Sequence, residues 1–230
     1  MNDTCRAEAL IEKLLADPVS FNERAEANQL LSEYFGGMSI TTLRPLLTHS
    51  DSLVRRSAAY IASELGYRAK CLIHDVEPLI HDSDPHTRWY AIECVMVCST
   101  DAKADQFLSV VRELESNDDW MRQLAMKLVS NAALSQLETG YKLSETLGTS
   151  AFLHAQGLKC LLKGRLVNES DVEVLLNSSA PLSRRYGAIA AKRLFEEFPE
   201  VLEVAASNSD PDVCKFTAKA LKKFRRRKKK

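Results

Sequence analysis

The stretch LLTHSDSLVRRSAAYIASELG, residues 46–66, decides how this chain is read, and LIHDSDPHTRWYAIECV, residues 79–95, restates it. Each has an apolar pair, a polar turn containing Asp, an Arg four residues after that Asp, and an apolar helix face behind the Arg. With that Arg as anchor, equivalent positions fall at Arg24, Arg55, Arg88, Arg122, His154, Arg184 and Cys214, in steps of 31, 33, 34, 32, 30 and 30 residues. A period of this size marks stacked helical repeats.

Fixed offsets from the anchor carry physical meaning. Four before stand Ser20, Asp51, Asp84, Asp118, Ser150, Ala180 and Asp210, mostly residues that cap the free N–H groups of a helix, at about 1 kcal/mol per cap. Pro85, Pro181 and Pro211 follow at the first helical position, where a missing N–H costs nothing. Three after stand Ala27, Ala58, Ala91, Ala125, Gly157, Gly187 and Thr217, small enough to let helices approach. Six and seven after come apolar pairs such as Leu30/Leu31, Ile61/Ala62 and Cys94/Val95, the buried stripe. A shorter helix precedes each anchored one, with Leu43, Val76, Val110 and Val172 twelve before the anchor and Leu47, Ile80, Leu114 and Leu176 eight before. Pro45 and Pro78 should kink it. The Asp-x-x-x-Arg pairs 51/55, 84/88 and 118/122 read as a structural ladder within or between repeats. No unit buries its stripe alone, so the expectation is an all-α, right-handed α-solenoid of about six to seven helical hairpins, one domain over residues 1–221.

Composition agrees. Apolar residues make up 45% of 230 and charged residues 27%, enough for a packed core, while 8 Gly and 7% aromatics argue against a strand-rich barrel. Formal charge is zero, but Lys222–Lys230 hold eight positive charges and no acid, which leaves residues 1–221 at −8. That run reads as a solvated, mobile basic tail. No apolar stretch approaches the ~20 residues a membrane span needs, and the start MNDTCRAEALIEKLLADP lacks a secretory core, so a cytoplasmic protein with reduced thiols is expected. Cys94 and Cys98 share a helix face without a histidine to complete a metal site, so they read as core.

Segments 46–66 and 79–95 resemble HEAT repeats, and the resemblance covers most of residues 17–221. It implies an α-solenoid whose second helices line a concave face. On that frame, positions one, five and eight after the anchor face the groove. They give Arg56, Tyr60, Trp89, Glu93, Met96, Gln123, Lys127, Lys159, Arg185 and Lys192 as candidate binding residues: an aromatic–apolar centre at Tyr60, Trp89 and Met96, and a basic second half. A weaker resemblance, over about the second half of the chain, is to the HEAT-like alkylpurine DNA glycosylases. It rests on Trp89 and Glu93, one turn apart, and on SNDDWMRQLAMKL (116–128) and APLSRRYGAIAAKRL (180–194). It implies Trp89 and Glu93 as the catalytic candidates. The chain departs from that family where Gln123 replaces the groove Arg and where the second groove Trp falls near Leu158. HEAT-like bilin-lyase subunits are another relative of this size, with no feature here that singles them out.

No phosphate loop, H-E-x-x-H, paired CxxC or G-x-S-x-G is present. The reading therefore leans away from an enzyme, with no cofactor or metal. A non-enzymatic protein that holds a partner protein in its groove is expected, of adaptor, inhibitor or immunity-protein type. The alternative is DNA or RNA binding through the basic half-groove and tail.

Overall fold

The computed structural model describes residues 3–100, 105–163, 168–194 and 199–227. Every regular element among them is helical. The chain groups into two compact units, Met1–Ser99 and Thr100–Lys230. The first holds α1 (Asp3–Ala16), α2 (Pro18–Glu23), α3 (Ala27–Phe35), α4 (Arg44–Leu47), α5 (Ser52–Glu64), α6 (Ile73–Val76) and α7 (Pro85–Cys98). The second holds α8 (Phe107–Arg112), α9 (Asp119–Val129), α10 (Leu134–Lys142), α11 (Ala151–Leu162), α12 (Glu169–Leu176), α13 (Pro181–Leu194), α14 (Pro199–Ala206) and α15 (Pro211–Arg227).

The repeat is visible as α-solenoid packing within each unit: α3 lies on α5 and α5 on α7, and in the second unit α11 lies on α13 and α13 on α15. The first helices are kinked more sharply than one proline requires. A 3₁₀ turn, Ile40–Leu43, runs into α4 at Pro45, and α6 is flanked by 3₁₀ segments Gly66–Leu72 and Glu77–His81, the latter carrying Pro78. Their apolar columns are nevertheless fully packed: Leu43, Val76, Val110, Val172, Leu47, Ile80, Leu114 and Leu176 are all buried. Each such side chain contributes about 1.5–3 kcal/mol.

The caps follow the sequence for the central repeats. Asp51 accepts from the Leu53 amide at 2.7 Å, Asp84 from that of Thr87 at 2.8 Å and Asp118 from that of Trp120 at 2.9 Å. The first repeat departs from it. Asp17, not Ser20, caps α2, and the helix expected to run on from there breaks at Ala25, whose φ is 54°. Ser150 caps nothing; its hydroxyl goes to Glu115 at 2.6 Å.

The small-residue column is strict where neighbours crowd it. A Cβ on Gly157 would lie 2.2 Å from the Tyr186 ring, and one on Gly187 would lie 2.9 Å from the Leu176 nitrogen. The basic run expected to begin a tail at Lys222 instead continues α15 to Arg227. Lys and Arg are good helix formers, and no Gly or Pro interrupts them. Residues 228–230 lie outside the described residues.

Candidate functional site

Asp51 and Asp118 are committed to capping, and Arg55 and Arg122, four residues after them, pair with later acids instead. Arg55, Arg122 and Arg184 each reach back to a carbonyl of the turn before their own helix and forward to an acid of a later turn or helix. Arg55 donates to the carbonyls of His49 and Ser50, both at 2.8 Å, and to Asp82 at 2.6 Å. Arg184 donates to the carbonyls of Ser178 and Ser179 and to Asp210 at 2.9 Å. The residues after two of these anchors also pair forward. Arg56 pairs with Asp84, and Arg185 with Asp212 at 3.1 Å. Burial alone would raise the Asp84 carboxyl; the Arg56 guanidinium and the Thr87 amide and hydroxyl outweigh it and hold it down at about 2. Arg56 and Arg185, expected to face a ligand, are therefore fastened to a neighbouring helix.

In the second unit the expected groove face is itself covered. Arg122 reaches Asp212, 90 residues further on, at 2.7 Å. The Gln123 amide donates to the Asp212 carbonyl at 2.9 Å. Arg185 adds a bond to the Leu114 carbonyl at 2.6 Å. At the far end of α9, Lys192 donates to Ser130 Oγ and Arg193 to the Ala132 carbonyl at 3.0 Å. These cations of α13 sit where α9 presents its last carbonyls, the favourable end of the helix dipole. So α9 packs on both α13 and α15, and Gln123, Ser130 and Ile189, all assigned outward, are buried. The cations on Asp212 explain the closure: burial would raise its carboxyl, but Arg122 and Arg185 bring it below the ordinary range. Lys127 and Lys159 remain exposed.

The first unit keeps its face open. Trp89 on α7 is 37% exposed and stacks on Tyr90 with ring centroids 5.6 Å apart and planes 13° apart. Tyr90 meets the edge of Tyr60 on α5 at 5.3 Å, and the Tyr60 hydroxyl donates to Asn28. Glu93 lies half-exposed one turn beyond Trp89. Met96, the third expected member, is buried and contributes to the core instead. Its place is taken by Tyr90, two after the anchor, an offset that the outward positions did not include.

Two other groups of reactive residues are structural. His154 is buried, with Nδ1 2.8 Å from the Tyr186 hydroxyl and Nε2 2.9 Å from Glu115 Oε2. Burial pushes its pKa down against the pull of Glu115. Tyr186 and His154 are buried and their bond ties α11 to α13, while Glu115 at the other end of the chain of bonds is exposed. Cys94 and Cys98 are both buried with sulfurs 4.0 Å apart. Among the described residues, no three His, Cys, Asp or Glu side chains gather as metal ligands, and no helix is long and apolar enough to cross a membrane.

No family model matches the chain, and no curated protein does. Solved structures similar to it include three engineered proteins from the Northeast Structural Genomics Consortium. One is 18% identical with a TM-score of 0.41, covering 80% of this chain and 95% of that one. A second is 16% identical with a TM-score of 0.49, covering 94% of this chain and 67% of that one. A third is 16% identical with a TM-score of 0.40, covering 80% and 97%. At such identities and scores, nothing about function passes from these designs to this chain.

Proposed function

We propose that this chain is a non-enzymatic HEAT-repeat binding protein, of adaptor, inhibitor or immunity-protein type, whose α5–α7 face docks a partner protein. The observation that carries this is the Trp89–Tyr90–Tyr60 cluster. Three aromatic rings brace one another across two helices while Trp89 keeps open surface. Rigid, partly exposed aromatics of this kind dominate binding energy at protein interfaces and lose little conformational entropy on docking. The arginines around them are engaged in the lock between helices, so the rings, with Glu93 beside them, are what this face offers. The expected cytoplasmic setting remains part of the proposal.

The nucleic-acid alternative has in its favour the lysines of the second unit. Base excision has no support. Gln123, at the place of the glycosylase groove Arg, spends its amide on Asp212, and Leu158, near the place of the second Trp, is buried.

The experiment is retention of proteins from nuclease-treated source-cell lysate by the immobilised chain and by Trp89→Ala. The expected result is a small set of proteins held by the parent and lost by the variant, with binding weakened by about 2 kcal/mol or more and folding stability changed by under about 0.5 kcal/mol. Identical capture by both, or no protein retained by the parent from the nuclease-treated lysate, contradicts the reading.

A further inference from the structure

Lys192 of α13 lines a cleft of about 340 Å³ between α9, α13 and α15. Clefts of that order take small ligands. The lysine is half-buried. Its ammonium donates to Ser130 Oγ, and the centroid of the Phe216 ring lies 5.4 Å away. The Ser130 hydroxyl sends its own proton to the Lys127 carbonyl at 2.7 Å, so toward Lys192 it acts as a neutral acceptor. Among the described residues no carboxylate pairs with the Lys192 ammonium. One hydroxyl and one ring face compensate a partly desolvated cation poorly.

Burial, then the charges of Lys223, Lys127 and Arg193, push Lys192 from 10.5 down to about 8. Near neutral pH it is therefore a free amine about a hundredfold more often than an ordinary exposed lysine. A desolvated lysine amine is a nucleophile toward carbonyl carbon. The rest of the cleft selects the carbonyl compound. Trp120, 41% exposed, lines it beside Leu124. An aryl group gains from offset stacking on such a ring. The product suits the place as well: a neutral imine removes the positive charge that burial penalises.

We infer that Lys192 is a covalent site for an aromatic aldehyde, held as an imine with its ring against Trp120. The ammonium first gives a proton to water. The amine lone pair then attacks the carbonyl carbon, the carbon–oxygen bond breaks, the oxygen leaves as water, and a carbon–nitrogen double bond remains. No oxidant or reductant takes part. The site lies wholly in the second unit and does not depend on the α5–α7 docking face.

The full chain is treated with limiting salicylaldehyde or butyraldehyde, imines are trapped with cyanoborohydride, and labelled lysines are located by peptide mass mapping. Salicylaldehyde is expected to label Lys192 about tenfold or more faster than Lys159, which is exposed. Its preference for Lys192 should exceed that of butyraldehyde, which has no ring, by about fivefold, and Trp120→Ala should remove that excess. Lys192 faces Lys127 of α9, Lys219 and Lys223 of α15, and Arg193 of its own helix. Its preference over exposed lysines should shrink as pH rises above about 8, where Lys192 has no more free amine to gain. Three results each overturn the inference: Lys192 labelled no faster than Lys159, butyraldehyde matching salicylaldehyde in that preference, or Trp120→Ala leaving it unchanged. The first two compare lysines within one folded parent chain, so they hold even if the variant fails to fold.

Discussion

Between α5 and α7, Arg55 and Arg56 close on Asp82 and Asp84; between α13 and α15, Arg184 and Arg185 close on Asp210 and Asp212. The pairs sit at matching places in two repeats of one chain, and both arginine–aspartate steps are 26 to 28 residues. Their surroundings differ. In the first unit Tyr60, Tyr90 and Trp89 occupy the face beside the lock, and Trp89 keeps open surface. In the second, Arg122 reaches the same Asp212 from α9 and shuts the face. One inter-repeat device thus yields an open surface or a closed one, depending on whether a third helix supplies another guanidinium. Partly buried pairs of this kind fix which helices meet more than they raise stability.

The largest way to disturb the comparison is at the small-residue column. Position 91 in the first unit carries Ala fully buried, whereas Gly157 in the second faces the Tyr186 ring. Gly157→Ala should therefore cost about 3 kcal/mol or more by overpacking, read in urea unfolding, although alanine is the better helix former. A cost near zero would mean α11 and α13 are further apart than described.

Next comes Asp84, held at about 2. Its folded pKa lies below the unfolded value near 4, so the stability it adds is full above pH 4 and lost as pH falls through about 2. Allowing for solvent screening, Asp84→Asn should cost about 1–2 kcal/mol at pH 7 and nothing near pH 1. A difference between parent and variant that stays constant down to acid would show that the Arg56 lock contributes little.

Those two effects rest on columns that were legible in the sequence. Capping by Asp51, Asp84 and Asp118, the apolar columns of the first helices and the kinks at Pro45 and Pro78 all follow from local rules. What was hidden has a shared cause: pairing beyond the nearest element. Asp82 and Asp84 look like one turn, yet each takes a different arginine from the repeat before. No period leads from Arg122 to Asp212, so Gln123, Arg185 and Lys192 read as groove residues when they close α9 on α13 and α15. Tyr90 was overlooked because the outward positions were drawn for a lone helix, whereas the α5 neighbour turns its ring toward Tyr60. The break at Ala25 left no trace, because the ERAEA stretch around it (23–27) consists of helix formers.

That break supplies the smallest expected effect. Ala25 sits at a φ of 54°, where an L side chain is strained and glycine is not. Ala25→Gly should stabilise the first unit by up to about 1 kcal/mol, a rise of about 2–4 °C in melting temperature. A fall instead would show that this turn is not held in the left-handed region.

The contrast between an open and a closed face rests on α9 meeting α15, and a double-mutant cycle on Arg122 and Asp212 measures that directly. Arg122→Ala, Asp212→Ala and the double variant are compared with the parent by urea unfolding. The closed face predicts a coupling of about 2 kcal/mol between residues 90 positions apart. Additive effects, with coupling within about 0.3 kcal/mol of zero, would contradict it.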